Sequence, residues 1–298
     1  MACAANAILP STFMRTLLSV VLALAASAAG AQAWAWDDGV TPFVVTPPEV
    51  VDRMLQLAAP KKGERLIDLG SGDGRIVIEA AKRFGAPGLG VDIDPRLVER
   101  ARANAQRAGV ETLAKFEVRD LFETDLRGAR VITLYLLPEV NRQLVPRLWE
   151  QLAPGARVVS HDYDMGPDWP FDEMLELKLA EKLVGPTGRS RVFLWVMPAN
   201  ARGTWVGEIP GHGGPWTFTI AQHYQVIEVE ARVPGGAMAV RGTRLRGGEI
   251  RLAVVGTLNG KPWNHLFRGI VSGARIEGEL HLSDGEQSRT LPWTAKRQ

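Results

Sequence analysis

The chain has very little cysteine, little net charge and no long apolar run, and each absence excludes a class of protein. Cys3 is the only cysteine in 298 residues, so neither a disulfide framework nor a cysteine-based metal site is expected. The 35 basic and 33 acidic residues leave a formal net charge of +2, which provides no basic footprint for nucleic acid. We therefore expect no nucleic-acid partner and no resident metal.

The first 33 residues differ in composition from the rest of the chain. Arg15 is their only charged residue, an apolar run follows over 17–29, and Ala31-Gln32-Ala33 then offers the small residues that a signal peptidase recognises. The run is shorter than the roughly 18 to 20 apolar residues of a membrane span. We expect an exported, periplasmic protein with no stable membrane span after cleavage. The alternative is a retained segment that anchors the protein to the inner membrane.

Between Thr46 and Pro198, short apolar runs alternate with helical periods. The segment Thr46-Pro47-Pro48-Glu49 predicts a helix start, with Thr46 as N-cap, Pro47 at the first helical position and Glu49 closing a capping box. The predicted strands span 65–69, 88–93, 114–118, 129–136 and 156–161. Further predicted helices lie between these strands, over 76–84, 94–108 and 139–152. Two more apolar runs, over 175–183 and 191–197, are predicted to form a hairpin. This alternation predicts an α/β fold with a Rossmann-like, mostly parallel sheet and an antiparallel edge hairpin.

The character of the chain changes after Asn200. From Gly203 onward glycine is frequent and no convincing helical period is present. Short alternating runs span 203–209, 216–221, 224–233, 237–240, 249–255, 263–270, 274–282 and 290–295. They predict a C-terminal antiparallel β domain that closes as a barrel or sandwich. We therefore divide the chain into a signal peptide over 1–33, an α/β domain over 46–198 and a β-rich domain over 203–298.

A glycine-rich loop follows the first predicted strand. The segment from Asp68 to Arg75 reads Asp-Leu-Gly-Ser-Gly-Asp-Gly-Arg. A loop of this kind between a strand and a helix lets a ligand approach the backbone closely. The spacing excludes two common nucleotide-binding loops. Arg75 occupies the position where the dinucleotide motif G-x-G-x-x-G needs its last glycine, and the G-K-[ST] of a phosphate-binding loop is absent.

Two further acidic residues follow the next two predicted strands. Asp92, with its neighbour Ile93, lies about 20 residues after Gly70, the offset of an acid that binds ribose hydroxyls. Asp120 could accept a hydrogen bond from an adenine amino group while Leu121 or Phe122 packs on the ring. Because the carboxyl ends of parallel strands meet at one edge of the sheet, these residues predict a nucleoside site there.

The loop resembles the S-adenosylmethionine (SAM)-binding loop of class I methyltransferases. More narrowly, the segments 68–77, 119–122 and 134–139 resemble the protein-lysine methyltransferases of mitochondrial carrier and ATP synthase subunits and their prokaryotic relatives. The resemblance covers 46–198 and implies SAM as cofactor. The residues expected to bind it are Asp68, Gly70, Ser71, Gly72, Asp73, Gly74, Asp92, Ile93, Asp120 and Leu121.

The methyl acceptor is less well defined than the donor. Candidate catalytic residues follow the fourth and fifth predicted strands: Tyr135, His161 and Asp162. The Asn-Pro-Pro-Tyr type of motif found in many amino-group methyltransferases is absent. Two hypotheses remain. The first is a methyltransferase whose expected acceptor is a protein lysine, with a small molecule as the other possible acceptor. The second is a non-catalytic exported binding protein with a retained nucleoside pocket and a β-barrel ligand module. The intact loop with both downstream acids favours the first.

The N-terminal pattern gives a direct prediction about the mature protein. Cleavage after Ala33 should leave a mature chain whose first residue is Trp34, because signal peptidase cuts after an A-x-A segment. N-terminal sequencing of the protein from fractionated cells measures this. Recovery of the uncleaved chain from the cytoplasm would contradict the expected export.

Overall fold

A computed structural model describes residues 43–179, 188–209, 214–233, 237–258 and 260–298. The expected signal peptide over 1–33 lies outside these residues, so export stays a prediction. Residues 185–187 of the turn expected in the edge hairpin also lie outside them. None of the described helices combines the length and the apolar character that a membrane crossing requires.

The first part of the described chain forms an α/β domain around a seven-stranded sheet in the order β3-β2-β1-β4-β5-β7-β6. The helices are α1 (Pro48–Ala58), α2 (Arg75–Phe84), α3 (Pro95–Arg107) and α4 (Pro138–Gln151); the strands are β1 (Leu66–Leu69), β2 (Gly88–Asp92), β3 (Ala114–Val118), β4 (Val131–Leu134), β5 (Arg157–His161), β6 (Glu173–Lys178) and β7 (Arg189–Val196). β1 to β5 are parallel, and β7 joins β5 in antiparallel orientation. The predicted Rossmann-like sheet with an antiparallel edge hairpin is confirmed.

The central strands are buried on both faces because helices cover both sides of the sheet. All four residues of β1 and all four of β4 are buried, as expected for apolar runs without alternation. On one face, α1, α2 and α3 pack through residues such as Val51, Val77 and Val98. On the other face, α4 packs through Leu144 and Leu148. This packing fixes the strand ends that carry the candidate site.

The predicted capping box at the start of α1 is wrong. Helix α1 begins at Pro48, Pro47 takes the N-cap position, and no side chain caps the helix. The Thr46 side chain turns inward instead, to within 3.4 Å of His161 Nδ1. A contact with a residue distant in sequence has therefore replaced the local capping interaction. In contrast, Asp94 does cap α3, since its side chain accepts a hydrogen bond from the Arg96 amide.

The C-terminal part forms an antiparallel, nearly closed eight-stranded barrel in the order β10-β9-β8-β15-β14-β13-β12-β11. Its strands are β8 (Gly203–Glu208), β9 (Pro215–His223), β10 (Val226–Arg232), β11 (Ala237–Arg246), β12 (Glu249–Leu258), β13 (Lys261–Ser272), β14 (Arg275–Ser283) and β15 (Ser288–Arg297). Its interior is a separate hydrophobic cluster with Trp205, Trp216 and Trp293 at its centre. Where β10 faces β11, the Thr243 hydroxyl donates to the Ile227 carbonyl at 2.9 Å. The antiparallel β domain expected from the sequence is confirmed.

Two turns of the barrel contact the α/β domain at the amino edge of its sheet. In the β9–β10 turn, Tyr224 stacks on Trp169 with ring centroids 5.3 Å apart. Gln225 in the same turn accepts a hydrogen bond from Trp169 Nε1 at 3.1 Å. In the β11–β12 turn, the Gly247 carbonyl accepts from the Ala199 amide at 2.8 Å. Trp169 precedes β6, which starts at the amino edge, so these contacts lie opposite the carboxyl ends of the parallel strands.

Candidate functional site

The glycine-rich loop between β1 and α2 is folded tightly against β2. Gly70, Gly72 and Gly74 all have positive φ angles, of 78°, 53° and 80°. The amides of Gly70 and Ser71 both donate to the Val91 carbonyl at 2.9 Å. A Cβ on Gly74 would lie 2.6 Å from the Phe116 ring, so backbone conformation and packing both require glycine there. The Ser71 side chain is buried against Gly90, which leaves mainly backbone at the loop surface.

Asp92 at the end of β2 is held by two backbone donors. One carboxylate oxygen accepts from the Gly72 amide at 2.8 Å, and the other accepts from the Asp94 amide at 3.1 Å. The side chain remains partly exposed beside the loop. A carboxylate offers about four acceptor positions, so each oxygen retains one for a ligand. The predicted spacing therefore does bring Asp92 to the glycine loop.

The structure places Ile93, Asp120 and Leu121 at the same edge of the sheet as Asp92. Ile93 is 59% exposed although it is a large apolar residue. One oxygen of Asp120 accepts from the Phe122 amide at 2.8 Å and starts a 3-10 helix over Leu121–Glu123. Its second oxygen and the half-buried Leu121 remain at the surface of the site. Two partly exposed carboxylates and two apolar side chains, one exposed and one half-buried, thus follow neighbouring strands at this edge.

Two buried acidic residues, Asp68 and Asp73, lie at the glycine-rich loop. Burial raises the pKa of Asp68 to about 7, against the hydrogen bond from Thr133, and the nearby charges of Asp92 and Asp73 raise it further. The Thr133 hydroxyl donates to Asp68 at 2.6 Å. Burial also opposes the ionisation of Asp73, but hydrogen bonds and charge from Arg75 outweigh it and lower the pKa of Asp73. A positively charged ligand bound beside Asp68 would therefore lower its pKa and favour its ionised form.

Tyr135, His161 and Asp162 form one cluster at the ends of β4 and β5. The rings of Tyr135 and His161 have centroids 3.9 Å apart. Tyr135 donates from its hydroxyl to Asp162 at 3.4 Å, and the Arg191 amide donates to the other Asp162 oxygen at 3.1 Å. Burial, and then the charge of Asp162, raise the pKa of Tyr135. Tyr135 therefore stays protonated at neutral pH, and its oxygen retains acceptor positions.

Several residues that hold this cluster escaped the sequence analysis. Ser190 Oγ lies 2.9 Å from His161 Nε2, and Thr46 Oγ1 lies 3.4 Å from His161 Nδ1. The fully buried Asn141 on α4 donates to the Tyr163 and Asp164 carbonyls at 3.2 and 3.3 Å, and so fixes the loop after β5. The sequence could have indicated the role of Asn141, because an asparagine on the buried face of a helix needs polar partners. It contains no comparable indication for Ser190, because the contact of Ser190 depends on how β7 pairs with β5.

Comparison with known proteins places this chain among methyltransferases. A family model described as the ANTKMT methyltransferase domain matches residues 68–173. A protein-lysine N-methyltransferase of Saccharolobus islandicus is 42% identical over 138 residues, which cover 46% of this chain and 85% of that protein. The adenine nucleotide translocase lysine N-methyltransferase of Mus musculus is 36% identical over 128 residues, which cover 43% of this chain and 55% of that protein. This chain thus spans about half the length of the mouse relative.

The chain is also similar to solved structures. Among them is the crystal structure of an RNA methyltransferase from Salinibacter ruber in complex with S-adenosyl-L-homocysteine, with 50% sequence identity and a TM-score of 0.47. The match covers 56% of this chain and 97% of that one.

The raised pKa of Asp68 predicts a pH-dependent stability. Between about pH 4 and pH 7 the unfolded chain ionises Asp68 while the folded chain keeps its proton, so stability falls as pH rises through this window. Asp68→Asn mimics the protonated form and should remove the effect. Relative to wild type, the variant should gain up to about 4 kcal/mol between pH 4 and pH 8, at about 1.4 kcal/mol per pKa unit. Urea unfolding without added ligand measures this, and a pH-independent difference would contradict it.

Proposed function

We propose that this chain, which belongs to the ANTKMT-type family of SAM-dependent methyltransferases, transfers a methyl group from SAM to the side-chain amine of a lysine in a protein. Family membership rests on the relative that is 42% identical and is covered over 85% of its length. The names of that relative and of the mouse protein support lysine as the acceptor. The observation that carries the proposal is an intact donor site beside a polar cluster at the same edge of one sheet.

The residues of the donor site fit SAM. The two acceptor positions that Asp92 retains match the two hydroxyls of a ribose, while the Gly72 and Asp94 amides hold the carboxylate in place. The exposed Ile93 would be covered by adenine, and Asp120 would accept from its amino group. A positively charged ammonium or sulfonium group near Asp68 would favour the ionised form of this buried carboxyl group. When bound, SAM supplies an electrophilic methyl group.

The acceptor cluster can orient an amine. Because the Tyr135 hydroxyl donates a hydrogen bond to Asp162, its oxygen can accept a hydrogen bond from the N–H of the acceptor amine and so direct the nitrogen lone pair. The raised pKa of Tyr135 keeps the phenol neutral, so this orientation persists over the physiological pH range. Asp162 makes the phenol oxygen a better acceptor through its negative charge. Tyr135 is therefore the proposed catalytic residue that touches the amine.

His161 has a different role from Tyr135, because its position does not let it contact the acceptor amine. It is fully buried, hydroxyl oxygens lie near both ring nitrogens, and its ring packs against Tyr135. A side chain in this position supports Tyr135 from behind and does not face the acceptor. We assign it a positioning role. The non-catalytic alternative is not favoured, because both the donor residues and this cluster are complete.

A labelling experiment tests the lysine proposal. The full chain is incubated with SAM labelled on its methyl group and a protein extract, and the label is located by acid hydrolysis and mass spectrometry. We expect methylated lysine. Tyr135→Phe should reduce kcat by about 10- to 100-fold through loss of amine orientation, with little change in affinity for S-adenosylhomocysteine.

Tyr224→Phe is the matched control, since Tyr224 lies in the barrel turn at the opposite edge of the sheet. It should keep wild-type activity. Label found only in RNA or only in small molecules would overturn the lysine assignment while leaving the enzyme class intact. Full activity of Tyr135→Phe on lysine would remove Tyr135 from the mechanism.

A further inference from the structure

Thr46 lies between the donor site and the acceptor cluster but belongs to neither. It is only 5% exposed, although it sits in an extended segment before α1. Its two polar oxygens point to different halves of the site. The carbonyl oxygen accepts from Arg75 at 2.8 Å, and the hydroxyl lies 3.4 Å from His161 Nδ1. A buried residue that contacts both halves in this way can transmit a change from one half to the other.

The contact with His161 is directional. The other ring nitrogen, Nε2, lies 3.4 Å from an Asp162 carboxylate oxygen and 2.9 Å from Ser190 Oγ. A carboxylate only accepts hydrogen bonds, so it favours the tautomer with the proton on Nε2. Nδ1 is then an acceptor, and the Thr46 hydroxyl donates to it. Asp162 thus sets the tautomer, and the hydrogen bond from Thr46 helps to hold the ring plane against which Tyr135 packs.

The contact with Arg75 reaches the glycine-rich loop. Arg75 donates from Nε to one Asp73 oxygen at 2.9 Å and from a second guanidinium nitrogen to the other at 2.6 Å. This bidentate pair is a strong, orientation-specific interaction. A third guanidinium bond goes to the Thr46 carbonyl. A shift of the loop at Asp73 would therefore move Arg75, and Thr46 with it.

We infer that Thr46 is a positioning residue that couples the donor loop to the acceptor cluster, a role that rests on the proposed methyl transfer. Its carbonyl is tied to the loop through Arg75, and its hydroxyl orients His161 behind Tyr135. Binding of the donor thereby influences the orientation of the Tyr135 phenol, which accepts a hydrogen bond from the amine.

Two variants separate the hydroxyl from the rest of the residue. Thr46→Val keeps the shape and the backbone carbonyl but removes the donor to His161, whereas Thr46→Ser keeps the hydroxyl. We expect Thr46→Val to lower kcat about tenfold, the effect of losing one buried hydrogen bond, with the Kd for S-adenosylhomocysteine within about twofold of wild type. Thr46→Ser should restore most of the activity. Equal losses in both variants, or none in Thr46→Val, would overturn the inference.

A second measurement does not depend on the acceptor. Nitrogen-15 spectra of the histidine rings, with His161 assigned through His161→Gln, report its tautomer directly. Wild type and Thr46→Ser should show a proton on Nε2, and Thr46→Val should broaden or shift the His161 signals. Adding S-adenosylhomocysteine should shift them in wild type and less in Arg75→Met.

The two readouts distinguish the possible failures. If no lysine is methylated but the ring signals behave as stated, the proposed function fails and the coupling stands. If lysine is methylated but neither Thr46→Val nor S-adenosylhomocysteine changes the His161 signals, the coupling is wrong and the proposed function stands. Thr294→Val, on an exposed barrel position, controls for a general effect of the substitution.

Discussion

The hydrogen bonds that join the glycine-rich loop to the end of β2 are the interactions on which the rest of the site depends. The Gly70 and Ser71 amides converge on the Val91 carbonyl, and the Gly72 amide holds Asp92. These bonds require the loop to turn with positive φ at Gly70 and Gly72, which glycine adopts without strain. Once the loop is fixed, Asp92 keeps the acceptor positions that a ribose needs, and Asp68 and Asp73 are brought close enough to repel each other.

The sheet order explains why donor and acceptor groups meet. β1 lies between β2 and β4, so chain connections diverge there and a crevice opens at the carboxyl ends of the strands. The donor residues follow β1, β2 and β3, and the cluster of Tyr135, His161 and Asp162 follows β4 and β5. The barrel contacts described above lie at the amino edge of the same sheet.

Local signals in the sequence predicted most of the elements, and distant contacts account for what they missed. The predicted ends at 84 and 94 agree with the structure, where Gly85 ends α2 and Asp94 caps α3, because each effect acts within one helical turn. Thr46 has the residue type of an N-cap, but its hydroxyl contacts His161, 115 residues away, instead of capping α1. Nothing near Thr46 in the sequence encodes that partner. The spacing of Gly70 and Asp92 was informative because one βα unit fixes it, whereas Ser190 reaches the site only through strand pairing in the edge hairpin.

The central claim is that Asp92 binds the ribose of SAM, and calorimetric titration with S-adenosylhomocysteine tests it most directly. Asp284 is the matched control, since it also accepts two backbone amides in a turn but lies in the barrel. Asp92→Ala should weaken binding by about 2–4 kcal/mol through loss of two charged hydrogen bonds, while Asp284→Ala should bind as wild type does. Wild-type affinity in a folded Asp92→Ala variant would contradict the account.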